Sequence, residues 1–163
     1  MASIINVDKV RATGSTTDGL TVDSNGRVVT PNRPFFYAAA GAQRDDQTAS
    51  PIPYTNAIKN VGGHYDTSTS KFTCPVDGIY FFAGQVYKEG TDSNIKLRVT
   101  SGGSDTDVAE VGRMIGTAPT EHSAVSFAIT YYFSANDVVF MIRDTGTYHQ
   151  NGLLSYFTGC LIG

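Results

Sequence analysis

The sequence predicts an all-β protein, and its composition, its turn residues and its strand-like runs all favour that class. The strand formers Thr, Val, Ile, Tyr and Phe number 19, 14, 10, 9 and 9, whereas the helix formers Leu, Lys and Glu number only 5, 5 and 3. The 17 Gly and 6 Pro residues punctuate short apolar or alternating runs. No segment has the 3.6-residue periodicity of an amphipathic helix. We therefore expect a two-sheet sandwich of about ten short strands.

The charge and the apolar runs of the chain argue against nucleic acid and membrane as partners. The 163 residues include 12 Lys and Arg against 15 Asp and Glu, a formal net charge of −3, and there is no basic run. This is too little positive charge for a nucleic-acid-binding surface. No apolar run is long enough to span a bilayer, so membrane insertion is not expected. The opening MASIINVDKV lacks the pattern of a secretory signal, and we expect none.

Residues 1–33 differ from the rest of the chain and are predicted to form a short β arm. Val22 and Val28 flank Asn25-Gly26, a pair that tolerates the positive φ of a tight hairpin turn. Two strands alone are marginally stable in water, so the arm is expected to pack on another surface. The predicted organisation is an arm at 1–33 followed by a head at 34–163.

The head contains nine strand-like runs separated by turn residues. They are Phe35 to Ala40, Tyr54 to Ile58, Lys71 to Val76, Ile79 to Lys88, Ile95 to Thr100, Val108 to Ile115, Ser123 to Ser134, Val138 to Arg143 and Leu153 to Ile162.

Some of these runs are apolar on both faces, which predicts self-association. A two-layer sandwich buries only one face of each sheet, so a second apolar face favours contact with another subunit. In Ser123 to Ser134 the larger alternate residues suit the core, which leaves the smaller set for such a contact. The candidate interface residues are Phe81, Ala83, Tyr87, Ser126, Ala128, Thr130 and Tyr132.

One segment carries the spacing of a known family. Residues 60–82 read NVGGHYDTSTSKFTCPVDGIYFF, and 157–161 read FTGCL. These segments resemble the globular head of complement C1q, at Asn60, Gly63, Tyr65, Phe72, Gly78, Tyr80, Phe82, Phe157 and Gly159. The resemblance covers roughly residues 34–163. It implies a jelly roll related to tumour necrosis factor that assembles as a homotrimer. The glycines suit turns and the aromatic residues suit a core, so we interpret this signature as architectural.

A second resemblance concerns the arm. Gly19 to Val28 is similar to short β-rich segments of tailed-bacteriophage fibre and other virion proteins. Together the two resemblances predict a non-enzymatic virion protein, a capsid decoration or tail-fibre tip assembled in the host cytoplasm. The arm would bind other virion proteins, and the head could bind a host receptor or glycan. The alternative is a secreted or cell-surface ligand-binding or signalling module.

The titratable residues do not form a recognisable catalytic motif. His64, His122 and His149 are too scattered for a metal spacing, and no Gly-x-Ser-x-Gly motif exists. No cofactor is predicted, although the acidic loops leave calcium binding open. Those loop acids are Asp45, Asp46, Asp92, Asp105 and Asp107. Cys74 and Cys160 are compatible with either two buried thiols or a disulfide.

Overall fold

The computed structural model describes residues 7–113 and 123–163. The chain divides between Arg33 and Pro34 into two compact units. Its strands are β1 (Lys9–Val10), β2 (Leu20–Val22), β3 (Val28–Val29), β4 (Phe35–Ala39), β5 (Arg44–Gln47), β6 (Asn56–Val61), β7 (Tyr65–Asp66), β8 (Lys71–Thr73), β9 (Gly78–Ser101), β10 (Ser104–Arg113), β11 (Ser123–Phe133), β12 (Val138–Gln150) and β13 (Tyr156–Leu161). A single 3-10 turn, Gly152–Leu154, is the only helical element in these ranges. In the described part, no helix is both long and apolar enough to cross a membrane.

The N-terminal unit is a three-stranded antiparallel sheet in the order β1-β2-β3. Thr21 of β2 pairs with Lys9 on one side and with Val29 on the other. The β2–β3 connection includes Gly26 at φ +77°. Asp23 closes this turn, since its carboxylate accepts the backbone N–H groups of Asn25 and Arg27, each at 2.9 Å.

The larger unit is a sandwich whose two sheets share β9. The first half of β9 pairs with β11 and β13, and β13 continues the first sheet through β4 to β6. The second half of β9 pairs with β10 and β12, and β12 continues the second sheet through β8 to β7. The predicted all-β, two-sheet architecture is confirmed.

Aromatic side chains fill the space between the sheets. Phe36, Phe82 and Phe157 come from the first sheet and Phe72 from the second, and all four are fully buried. The ring centroids of Phe36 and Phe72 lie 4.9 Å apart, and those of Phe82 and Phe157 lie 5.7 Å apart. Such contacts add to the free energy gained by burying large apolar surfaces. The core is thus built from alternate residues of the strands.

Three strand predictions differ from the structure. Ile79 to Lys88 and Ile95 to Thr100 were expected to be separate strands, but both belong to β9 because β12 pairs with residues on either side of their junction. Arg44–Gln47 was expected to be loop, yet it pairs with the end of β12 as β5. The predicted strand at Val138 to Arg143 extends to Gln150, because its continuation pairs with β5 and β9. Residues 1–6 of the predicted arm and the last two residues of the predicted strand Val108 to Ile115 fall outside the described residues.

Candidate functional site

The signature residues build the framework on which the surfaces of the head rest. The Asn60 side chain spans the turn after β6, where its Nδ2 donates to the Tyr65 carbonyl at 2.8 Å and its Oδ1 accepts the Tyr65 N–H at 3.2 Å. The Tyr65 hydroxyl then donates to the Tyr54 carbonyl at 2.9 Å, and its ring stacks on Phe36 at 4.6 Å. Burial raises the pKa of both tyrosines well above the usual value.

Two signature glycines are required by close packing. A Cβ at Gly78 would lie 2.7 Å from the Gly163 carbonyl oxygen. A Cβ at Gly159 would clash with the ring of Phe82. Gly63 differs because its space is open, but its φ of +72° disfavours other residues. These contacts suit an architectural role for the signature.

The predicted interface residues lie on one surface, the outer face of the first sheet. The pairing places Thr130 beside Phe81 and Ala128 beside Ala83, on the face opposite the core residue Phe82. Ser126 and Tyr132 lie on the same face of β11 by the alternation of the strand. Tyr132 is 58% exposed and Ile79, opposite it, is 44% exposed. The structure therefore brings the predicted set together.

This outer face contains no charged side chain in the described parts of β4, β11, β13 or Ile79–Tyr87, whereas the edge strand β6 places Lys59 opposite Tyr37. Its residues are small, aromatic or neutral polar: Phe35, Tyr37, Ala39, Ile79, Phe81, Ala83, Gln85, Tyr87, Ala124, Ser126, Ala128, Thr130, Tyr132, Tyr156, Thr158 and Cys160. At its centre Gln85 accepts a hydrogen bond from the Ser126 hydroxyl at 2.9 Å and donates to the Leu154 carbonyl at 2.7 Å. Tyr37 and Tyr156 stack at 5.4 Å.

At one end of this face, a buried histidine packs against Tyr87. The His149 ring makes an edge contact with Tyr87, with 6.3 Å between centroids, and is only 2% exposed. Its Nδ1 pairs with the Asp45 carboxylate. This contact joins β5 to β12. Sequence reasoning missed it, because β5 is wholly polar and has no strand-like pattern.

The outer face of the second sheet has a different character. Lys96 contacts Asp107 at 3.0 Å and Asp144 at 2.8 Å, and the Arg98 Nε donates to Asp107 at 2.7 Å. The Arg98 hydrogen bond holds the pKa of Asp107 below its usual value, and the Asp144 hydrogen bond raises the pKa of Lys96. A face of compensated charges is suited to remain in water.

The described residues contain no group of three or more His, Cys, Asp or Glu side chains placed to hold a metal ion. Asp105 and Asp107, two of the acids that left calcium binding open, instead contact Arg98. His64 contacts the edge of the Phe72 ring at 6.4 Å, and His122 lies outside the described residues. Cys74 and Cys160 are present as thiols. Burial raises the pKa of the Cys74 thiol to about 12.

Comparison with known proteins identifies the head. A model of the C1q domain matches residues 35–162. Complement C1q tumor necrosis factor-related protein 5 of rat is 43% identical over 54 residues, which are 32% of this chain and 22% of the relative. The mouse collagen alpha-1(X) chain is 38% identical over 55 residues, 34% of this chain and 7% of the relative. The chain thus spans less than a quarter of the curated relatives it matches.

Solved structures show the same fold. The globular domain of zebrafish complement 1qA protein matches with a TM-score of 0.64 and 19% identity, covering 80% of this chain and 98% of the other. Eiger TNF from S. frugiperda matches with a TM-score of 0.64 and 14% identity, covering 80% and 92%. The resemblance to the C1q head is confirmed.

The predicted virion location is wrong. The relatives of rat, human and mouse carry the names of complement C1q tumor necrosis factor-related proteins and not of virion components. The similarity of Gly19–Val28 to bacteriophage segments finds no support in the comparisons.

Proposed function

Because the C1q domain model matches 35–162, this protein belongs to the C1q domain family, and we propose that it is a non-enzymatic ligand-binding or signalling module acting as a homotrimer. This was the alternative reading of the sequence. The names of the relatives support a complement- or tumour-necrosis-factor-like role over a structural role in a particle.

The observation that carries the proposal is the contrast between the two outer faces. On the first sheet, Thr130, Ala128 and Ser126 are exposed and uncharged, so a partner subunit can cover them at little desolvation cost. On the second sheet, covering Lys96 and Arg98 would remove partly exposed ion pairs from water. The trimer contact therefore uses the first sheet and leaves the second in solvent.

Phe81 and Tyr132 supply the aromatic area that such an interface needs. The Ser126 hydroxyl and the Gln85 side chain are hydrogen-bonded to each other within one chain, so both keep a hydrogen-bond partner when the face is buried. The neutral part of this face, formed by β11 and Ile79–Tyr87, has its polar groups paired within the chain and matches the requirements of a permanent contact between copies.

A pair of matched variants tests this arrangement by sedimentation velocity. Thr130→Arg places a charge on the outer face of the first sheet, and Thr73→Arg makes the same change at an exposed strand position of the second sheet. We expect Thr130→Arg to sediment as a monomer and Thr73→Arg to remain a trimer. Trimers from both variants would contradict the proposed interface.

Ligand binding is tested with the same two proteins. Arrays of immobilised glycans and of cell-surface proteins are probed with the Thr73→Arg trimer and with the Thr130→Arg monomer. Threefold attachment should strengthen binding to a dense surface by roughly a hundredfold or more. Failure of the trimer to bind any array member, with full integrity of the fold, would count against the binding role.

A further inference from the structure

The N-terminal sheet has one apolar face. Val10 pairs with Leu20, and Val22 pairs with Val28. Since adjacent residues of a strand point to opposite faces, these four side chains share one face of the sheet, called here the valine face. Lys9, Thr21 and Val29 form the row between them and point to the other side.

The valine face is partly exposed. Val10 is 51% exposed and Val28 is 64% exposed, whereas Leu20 and Val22 are half-buried. Three strands of two or three residues cannot enclose a core of their own. Covering this face would remove apolar surface from water and stabilise the unit.

The size of the face limits what can cover it. Four aliphatic side chains offer far less surface than the roughly 800 Å² per partner of a stable interface between independent proteins. Such a small contact becomes effective when another interface has already brought the partners together.

The short connection to the head would keep the N-terminal sheets of a trimer close together. Five residues, 30–34, lie between β3 and the first strand of the head. At about 3.5 Å per residue, this connection reaches at most roughly 20 Å. Three heads in one trimer would therefore hold three N-terminal sheets at a roughly millimolar effective concentration.

We propose that the valine faces of the three chains pack against one another and form a second trimer contact, in addition to that of the heads. This rests on the homotrimer of the proposed function. The valine face is therefore covered by a second copy of this chain. A small apolar contact can hold together chains that are already joined through their heads, but it is too small to bind a separate protein.

Cysteine cross-linking of the full chain tests the contact. Val28→Cys and Val29→Cys, each made in a Cys160→Ser background, place a thiol on the two opposite faces of the same strand. A short bismaleimide should join chains through position 28 at least about tenfold faster than through position 29, as expected for thiols held at a shared interface. Sedimentation of both variants as trimers supplies the control.

Other outcomes overturn the proposal in distinguishable ways. Trimers in which positions 28 and 29 cross-link equally, or not at all, exclude the valine-face contact and leave the head interface standing. A monomeric chain contradicts both the proposed function and this contact.

A second variant pair avoids dependence on thiol chemistry. Val28→Glu should speed tryptic cleavage after Arg11 at least several-fold, whereas Val29→Glu on the opposite face should not. Equal cleavage of the two variants, with the head still trimeric, would also overturn the contact.

Discussion

The amide of Asn60 binds both backbone groups of Tyr65, donating to the carbonyl at 2.8 Å and accepting from the N–H at 3.2 Å. We predict that Asn60→Ala destabilises the head by about 1–3 kcal/mol, since two partly buried backbone groups lose their partner. Urea unfolding measures the change. Asn56→Ala, an exposed position on the same strand, serves as the control and should change stability by less than about 0.5 kcal/mol. Equal effects would show that the Asn60 bridge is not important.

Gly159 lies against two core rings. An added Cβ would lie 2.9 Å from Cε1 of Phe36 and closer still to the Phe82 ring. Gly159→Ala should therefore cost about 1–3 kcal/mol through overpacking. Thermal unfolding gives the value, with Gly19→Ala as the control, because its nearest atom, the Val10 carbonyl oxygen, is at an ordinary 3.6 Å. A Gly159→Ala protein as stable as the control would refute the packing described here.

Buried tyrosines should make the head sensitive to alkali. Burial raises the pKa of Tyr80 and of Tyr148 to about 12 from the ordinary value of 10.0. The folded state then retains protons that the unfolded state releases, so stability is full below pH 10 and falls between pH 10 and 12. The slope is up to about 1.4 kcal/mol per pH unit for each such tyrosine.

Urea unfolding at pH 9 to 11.5 measures this slope, and tyrosinate absorbance follows the titration directly. Tyr148→Phe removes one ionisable group together with its hydrogen bond to the Ala49 carbonyl. It should lower stability at pH 8 but flatten the alkaline decline. An unchanged slope of stability against pH would contradict the ionisation of a buried Tyr148 hydroxyl.

Cys74 should be unreactive in the folded protein. Its pKa rises from 9.0 to about 12, so roughly a thousandfold less thiolate is present at pH 8 than for an ordinary cysteine. In a Cys160→Ser background, iodoacetamide should modify Cys74 rapidly only after guanidinium unfolding. Rapid modification under native conditions would show that the site opens.

The sequence spacing predicted the family because its signature residues act locally. Asn60, Tyr65 and Phe72 sit at fixed offsets where a turn and two short strands meet, so their pattern survives in the chain itself. Alternation along β9 and β11 also predicted which side chains share the outer face of the first sheet. Whether a second copy covers that face remains a prediction.

Longer-range features left no such pattern. Strand β5 is wholly polar and exists because β12 offers it a pairing edge at Tyr148 and Gln150. The contact of the buried His149 with the exposed Asp45 depends on that pairing, since the two residues are over a hundred positions apart. The continuity of β9 likewise depends on a partner strand and not on its own residues.

The mass of the full chain in solution tests the central claim most directly. Sedimentation equilibrium at micromolar concentration should give about 52 kDa, three times the 17.4 kDa of one chain, as expected of a closed threefold assembly. A stable species of 17.4 kDa would contradict the trimer and the role assigned to the outer face of the first sheet.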